Sequence, residues 1–212
     1  VSGGITDWGM LANGPDPSCP AYPDGLGDCT FAGRQHNKMA KAAAAKLTEQ
    51  WETSAELAAE YLAYDGGQDD GAVIADLLLS WYQAGKIMAF APVDHASQSA
   101  VDGAMQAFHG CYTGVSLTDD ADDLFSEGQP WGTGSITPDP DEGHCIVKVK
   151  SDGVHFDTWV TWGADQLSTL AWSAACLDEA WALISTEDEA AKVDMASLVA
   201  DINALGGHDV AS

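Results

Sequence analysis

Two residues in this chain have the types and setting that chemistry needs. The first is Cys29, in the stretch "DGLGDCTFAGRQHNKMAKAAAAK" (residues 24–46), where it stands directly before a run of strong helix formers. A thiol at a helix N-terminus faces unpaired backbone N–H groups and the positive end of the helix dipole. Both favour thiolate, and the same N–H groups can hold the oxyanion of a tetrahedral intermediate. Gly25 and Gly27 leave room for a substrate to approach the backbone, whereas Asp28 works against the thiolate by placing a carboxylate beside it. The plainer reading is a small buried residue near a helix start.

A nucleophilic thiol needs a base, and six histidines are available. His144, in "DEGHCIVKVK", follows a glycine and opens an apolar strand, so its side chain projects from a sheet rim. His36 lies two helical turns beyond Cys29, about 10 Å along the axis. His155 reads as an alternating strand residue, and His95, His109 and His208 fall in loop or terminal settings open to solvent. A cysteine first and a histidine far downstream at a strand start is the order of a Cys–His hydrolase.

Other chemistries fit less well. Cys29, His144 and Cys145 could be imagined around zinc, but adjacent strand residues point to opposite faces. The acidic runs Asp119-Asp120-Ala121-Asp122-Asp123 and Asp139-Pro140-Asp141-Glu142 lack the spacing of a twelve-residue calcium loop and read as solvated surface. No metal or cofactor is expected. The tryptophans, among them Trp159, Trp162, Trp172 and Trp181, read as core. The five cysteines form no C-x-x-C pair and no disulfide scaffold, which suits a reducing compartment; the spacing leaves a Cys19–Cys29 bridge open.

The elements that must position Cys29 and His144 are readable in outline. Residues 1–28 carry Asn13-Gly14-Pro15, Pro17, Pro20, Pro23 and Asp24-Gly25, which forbid regular helix and predict an extended arm. Residues 30–46 predict a long helix. Thr53 or Ser54 could cap a second, "AELAAEYLAY", and Asp69 or Asp70 a third, "GAVIADLLLSWYQAG". Ser97–His109 reads as a helix leading into a strand, "GCYTGVSLT". An acidic loop, Asp119–Pro140, precedes two strands joined by a Ser151-Asp152-Gly153 turn. "STLAWSAACLDEAWALIS" is read as a strand finishing in a helix, and a helix from about Glu187 to Leu205 closes the chain. Helices first and strands later predict an α+β fold with helices packed on an antiparallel sheet.

The ordered set Gly27-Asp28-Cys29, Gly143-His144-Cys145-Ile146-Val147 and Thr161-Trp162-Gly163 resembles the papain-like cysteine peptidase superfamily. More narrowly, "LGDC", "GHCIVKV" and "VTWGA…W…DEAWALIS" are similar to uncharacterised proteins of tailed phages of actinobacteria. The resemblance covers residues 24–186, between an arm at 1–23 and a C-terminal segment at 187–212. It implies a papain-like α+β domain in which a long Cys29-bearing helix packs on a sheet carrying His144. It also implies Cys29 as nucleophile and His144 as base. The family's Asn falls at Val160, which cannot hydrogen-bond through its side chain, so Thr161 or Asp157 is expected to orient the imidazole instead. The family's oxyanion Gln is missing too, its place taken by Pro23.

Two functions follow. One is a thiol hydrolase acting on an amide bond of a peptide or protein substrate. The other is a virion module, such as a minor capsid, decoration or tail-associated protein, with a degenerate site and capsid or tail proteins as partners. With 33 acidic residues against 8 basic ones and a net charge of −25, a nucleic-acid or anionic-membrane partner is not expected. No apolar run approaches a membrane span and Val1-Ser2-Gly3-Gly4 does not look like a secretory signal, so host cytoplasm or the assembled virion is the expected location.

Overall fold

The computed structural model describes residues 5, 7–47, 51–185, 194–205 and 208–209. Three helices come first: α1 (Cys29–Ala45), α2 (Ser54–Asp65) and α3 (Ile74–Gln83). Next come β1 (Ala89–Val93), α4 (Gln98–Ala107), β2 (Cys111–Ser116), α5 (Ala121–Ser126), β3 (Gly143–Ser151), β4 (Phe156–Thr161) and β5 (Ala164–Thr169). The chain continues through α6 (Leu170–Cys176), β6 (Leu177–Ile184), α7 (Met195–Ala204) and a two-residue β7 (His208–Asp209). The strands form one antiparallel sheet in the order β5-β4-β3-β2-β6-β1-β7. The architecture is thus α+β, with helices on both faces of the sheet.

Each face has its own core. On one side Phe31 and Met39 of α1, with Leu57, Tyr61, Leu77 and Trp81 of α2 and α3, pack on Tyr112, Cys145, Val147 and Val160. On the other side Val101 and Met105 of α4 and Trp172 of α6 pack on Cys111, Ile146, Trp159 and Ala180. Strand alternation produces this division: Cys145 and Val147 face α1, and Ile146 faces α4.

Local chemistry explains most boundaries. Thr53 caps α2 in a full capping box with Glu56. Ser97 caps α4 and Thr169 caps α6 through their hydroxyls. The Ser151–Gly153 turn is closed by Asp152, whose Oδ1 accepts from the N–H groups of Val154, His155 and Phe156. Neither Asp69 nor Asp70 caps α3; the helix starts after Val73, and Asp69 Oδ1 instead accepts from Gly27 N and the Tyr61 hydroxyl.

The segment 168–185 runs opposite to expectation, helix first and strand second. Thr169 supplies the helix cap, and Ala180, Ala182 and Ile184 then place β6 in the middle of the sheet, between β2 and β1. The acidic loop contains α5 and is pinned by Trp131, fully buried, whose Nε1 donates to Ala121 O at 2.9 Å. The closing helix starts at Met195; residues 187–193 lie outside the described ones.

The N-terminal arm folds back through turns onto the domain. Gly9 bridges Gly163, Trp8 is buried with its Nε1 donating to Asp165 at 2.8 Å, and His36 Nε2 lies 3.1 Å from Gly9 O. Arg34 on α1 is held by Glu52 and Glu60 and stacks 4.7 Å from the Trp81 ring, so its charge joins α1 to the α2 region. Lys41 is buried and donates to Leu183 O at 2.8 Å.

Gly33 sets how closely α1 approaches the sheet. A Cβ there would lie 2.9 Å from Cys145 Sγ and 3.1 Å from the Tyr112 ring. Gly33→Ala gains about 1 kcal/mol of helix propensity, but overpacking costs about 1–3 kcal/mol. The expected net effect is destabilisation, measured by urea unfolding. In a Cys145→Ala background, which removes the sulfur, the same substitution is expected to become neutral or stabilising.

Candidate active site

Cys29 is the first residue of the 17-residue α1, with Asp28 at the N-cap. Asp28 makes no side-chain cap, so the first-turn N–H groups are not closed off by the usual carboxylate. Cys29 is half-buried, and its sulfur faces the backbone N–H groups of Cys145, Thr30 and Cys29 itself. It opens on a cleft of about 720 Å³ that His144 and Cys145 also line. The other walls come from Asn13 on the arm, Gly27, the loop Asp69–Gly71, Gly114 on β2, and Asp178 and Glu179 on β6.

His144 is the second residue of β3. By alternation it turns toward the α4 side of the sheet, opposite Cys145. Its Nε2 lies 2.7 Å from Thr161 Oγ1, and its ring stacks on Trp162 with centroids 4.9 Å apart. Trp162, at the backbone turn between β4 and β5, has φ +44°, and this left-handed conformation breaks the alternation there. Phe125 and Trp131 pack edge-on against the same indole. No hydrogen bond joins the Cys29 sulfur to the imidazole among the described residues.

Cys29 and His144 therefore line one cleft from opposite faces of the sheet, Thr161 holds His144 on the α4 side, and Asp157 lies elsewhere. Asp157 is fully buried, with Oδ1 2.9 Å from Lys148 Nζ; that ammonium also meets Asp102 at 2.7 Å. Gln98 Nε2 reaches both carboxylates, at 3.1 Å and 3.4 Å. Asp157 shares the face of Thr161 but lies at the other end of β4, where it ties β3 and β4 to α4, so it does not orient His144. Two of the other histidines also lie away from Cys29. His36 packs under the arm against Trp8, and His155 is 71% exposed in the turn before β4 instead of alternating within it. All five cysteines are free, Cys19 and Cys29 included.

The electrostatics run against a ready-made thiolate. Burial pushes the Cys29 thiol up to about 11; the neighbouring N–H groups pull it down, but Asp28 pushes it up again. Burial likewise takes His144 down to about 4, helped by the charge of His36. Asp28 itself is fully buried, neither oxygen has a hydrogen-bond partner, and burial raises it to about 8, with Asp69 and Asp16 contributing. At neutral pH the resting site holds a thiol, a neutral imidazole and a protonated carboxyl.

Sequence reasoning misses three contributors. Asn13 is legible only as a turn residue, yet the arm folds so that it lines the cleft. Asp178 and Glu179 were read as part of a helix, and only the strand assignment of β6 carries them to the rim. No protein-family model matches the chain, and neither does any curated protein or solved structure.

The shifted groups set opposite pH dependences. His36 and His144 are both lowered to about 4, so their contribution to stability is present above about 6.5 and is lost as pH falls through 4. Asp28 is raised to about 8, so its contribution is full below its ordinary value of 3.8 and is lost as pH rises through 8. Between pH 6.5 and 8 only Asp28 of these three changes stability. Asp28→Asn is expected to flatten the decline over that interval, read from unfolding midpoints at each pH, and to steepen the loss between pH 6.5 and 4, where Asp28 opposes the two histidines.

Proposed function

We propose that this chain is a papain-like thiol hydrolase that cleaves an amide bond in a peptide or protein substrate, with Cys29 as nucleophile and His144 as base. One observation carries the reading: a helix-N-terminal cysteine and a histidine whose ring is held by a hydroxyl and an aromatic face line one open cleft. When the proton on Nε2 is donated to Thr161 Oγ1, Nδ1 carries the lone pair. Thr161 thereby takes the orienting role that Val160 cannot.

Because the thiol and imidazole are both neutral at rest, proton transfer accompanies attack instead of preceding it. A carbonyl entering the cleft displaces solvent. The sulfur attacks the carbonyl carbon as its proton passes to His144 Nδ1 through a water retained in the cleft, because the imidazole lies toward the other face of the sheet. The tetrahedral oxyanion is held by the N–H groups of Cys29 and Cys145. The imidazolium then protonates the leaving amine, and water releases the acyl group by the reverse sequence.

A second reading is favoured by the shifts themselves. A thiol near 11 beside an imidazole near 4 is what a retained scaffold with a degenerate site would show, for instance a virion protein docking on capsid or tail components.

Turnover of amide-linked fluorogenic peptides separates the two. The hydrolase reading expects Cys29→Ala to be inactive and His144→Ala to lose about 10²–10⁴-fold in kcat/KM. Thr161→Val is expected to lose about tenfold, by analogy with the loss of an orienting hydrogen bond. Turnover indifferent to Cys29, or none with any peptide, supports the scaffold reading.

A further inference from the structure

The walls of the Cys29 cleft carry charge of one sign. Asp69 and Asp70, on the loop between α2 and α3, and Asp178 and Glu179, on β6, all line it, and among the described residues no Lys or Arg does. None of the four is in an ion pair among the described residues. Three are fixed in place by neutral donors. Asp69 Oδ1 accepts from Gly27 N and the Tyr61 hydroxyl, Asp178 Oδ2 from Ser116 Oγ at 2.6 Å, and Glu179 Oε2 from Trp181 Nε1 at 2.6 Å. Such bonds hold a carboxylate at a defined point without neutralising it, and each side chain keeps its second oxygen for a further donor.

An independent feature of the same cleft also points to a ligand. Thr30 lines it, is 2% exposed, and has a hydroxyl with no hydrogen-bond partner. A buried, unsatisfied hydroxyl is costly unless something entering the site completes it. The volume of about 720 Å³ is in the range that accommodates several residues of an extended peptide.

We propose that the cleft is built for a cationic stretch of polypeptide, with Lys or Arg side chains flanking the scissile bond and paired to Asp69, Asp70, Asp178 and Glu179. This rests on the hydrolase reading for the word scissile, but the charge preference stands on the lining alone. A one-signed cleft in an acidic protein repels anionic peptides and concentrates cationic ones before any contact forms. Entry of an ammonium or guanidinium group also brings a positive charge toward the Cys29 sulfur, which favours the thiolate that the resting site disfavours.

The test uses the Cys29→Ala protein, so that binding is read apart from turnover. Fluorescence anisotropy at low salt compares a labelled lysine-rich peptide with its glutamate counterpart. The lysine peptide is expected to bind at least tenfold more tightly, with affinity falling as salt rises. Adding Asp178→Asn and Glu179→Gln is expected to weaken it at least fivefold. Adding Asp122→Asn and Asp123→Asn, which remove the same charge from exposed positions on α5 outside the cleft, is expected to leave it within twofold. Equal affinity for the two peptides overturns the proposal, as does equal weakening by the two charge-removing pairs. Wild-type turnover is then scored separately. Absence of Cys29-dependent cleavage removes the hydrolase reading and leaves the binding result standing, whereas cleavage without charge preference removes only this proposal.

Discussion

The close seating of α1 on β3 at Gly33 and Cys145 is the contact on which the rest of this structure depends. With no side chain at Gly33 the helix comes down until the Cys145 sulfur lies against its backbone, and the Tyr112 hydroxyl reaches Thr30 O at 2.7 Å. That depth brings the Cys29 sulfur to the Cys145 N–H and the rim of the sheet. It also leaves Cys29 half-buried and takes Asp28 and Tyr112 out of water, and the displaced ionisations follow from that burial. A helix riding higher would leave a more ordinary thiol and no defined place for it.

Three of the eight basic residues, all buried, serve as internal ties. Arg34 clamps α1 to Glu52 and Glu60, Lys41 reaches Leu183 O, and Lys148 sits between Asp102 and Asp157. Breaking such a buried pair by removing one partner typically costs about 3–5 kcal/mol, because the other charge is stranded. The surplus of carboxylates is left for the surface and for the cleft, where no cation answers them. Arg34, Lys41 and Lys148 thus hold the fold together, and none of them lines the cleft.

How much of this was readable from residues alone depends on how local the cause was. The start of α1, the Thr53 cap, the Ser97 cap and the Asp152 turn are set by neighbours a few positions away, and the pattern shows them. The pairing of Thr161 with His144 was legible as one of two options, because strand parity admitted both Thr161 and Asp157. Only the buried Lys148, approached from α4 through Asp102, decides between them. β1 is five residues long and reads as an undistinguished apolar run, and β6 carries helix formers that sheet pairing overrides. Asn13 could not be foreseen, since its place depends on an arm folding back across Gly163.

The ionisation of Cys29 tests the account most directly: burial keeps the resting thiol protonated despite its place at a helix N-terminus, and Asp28, once ionised above about 8, holds the thiol's value up. The measurement is the pH dependence of iodoacetamide alkylation at Cys29, resolved by mass spectrometry on the folded protein. The account predicts a midpoint near 11, lowered by Asp28→Asn, with little labelling at neutral pH. A midpoint below the free-thiol value of about 8.5, raised by His144→Ala, would contradict it and indicate a preformed thiolate–imidazolium pair.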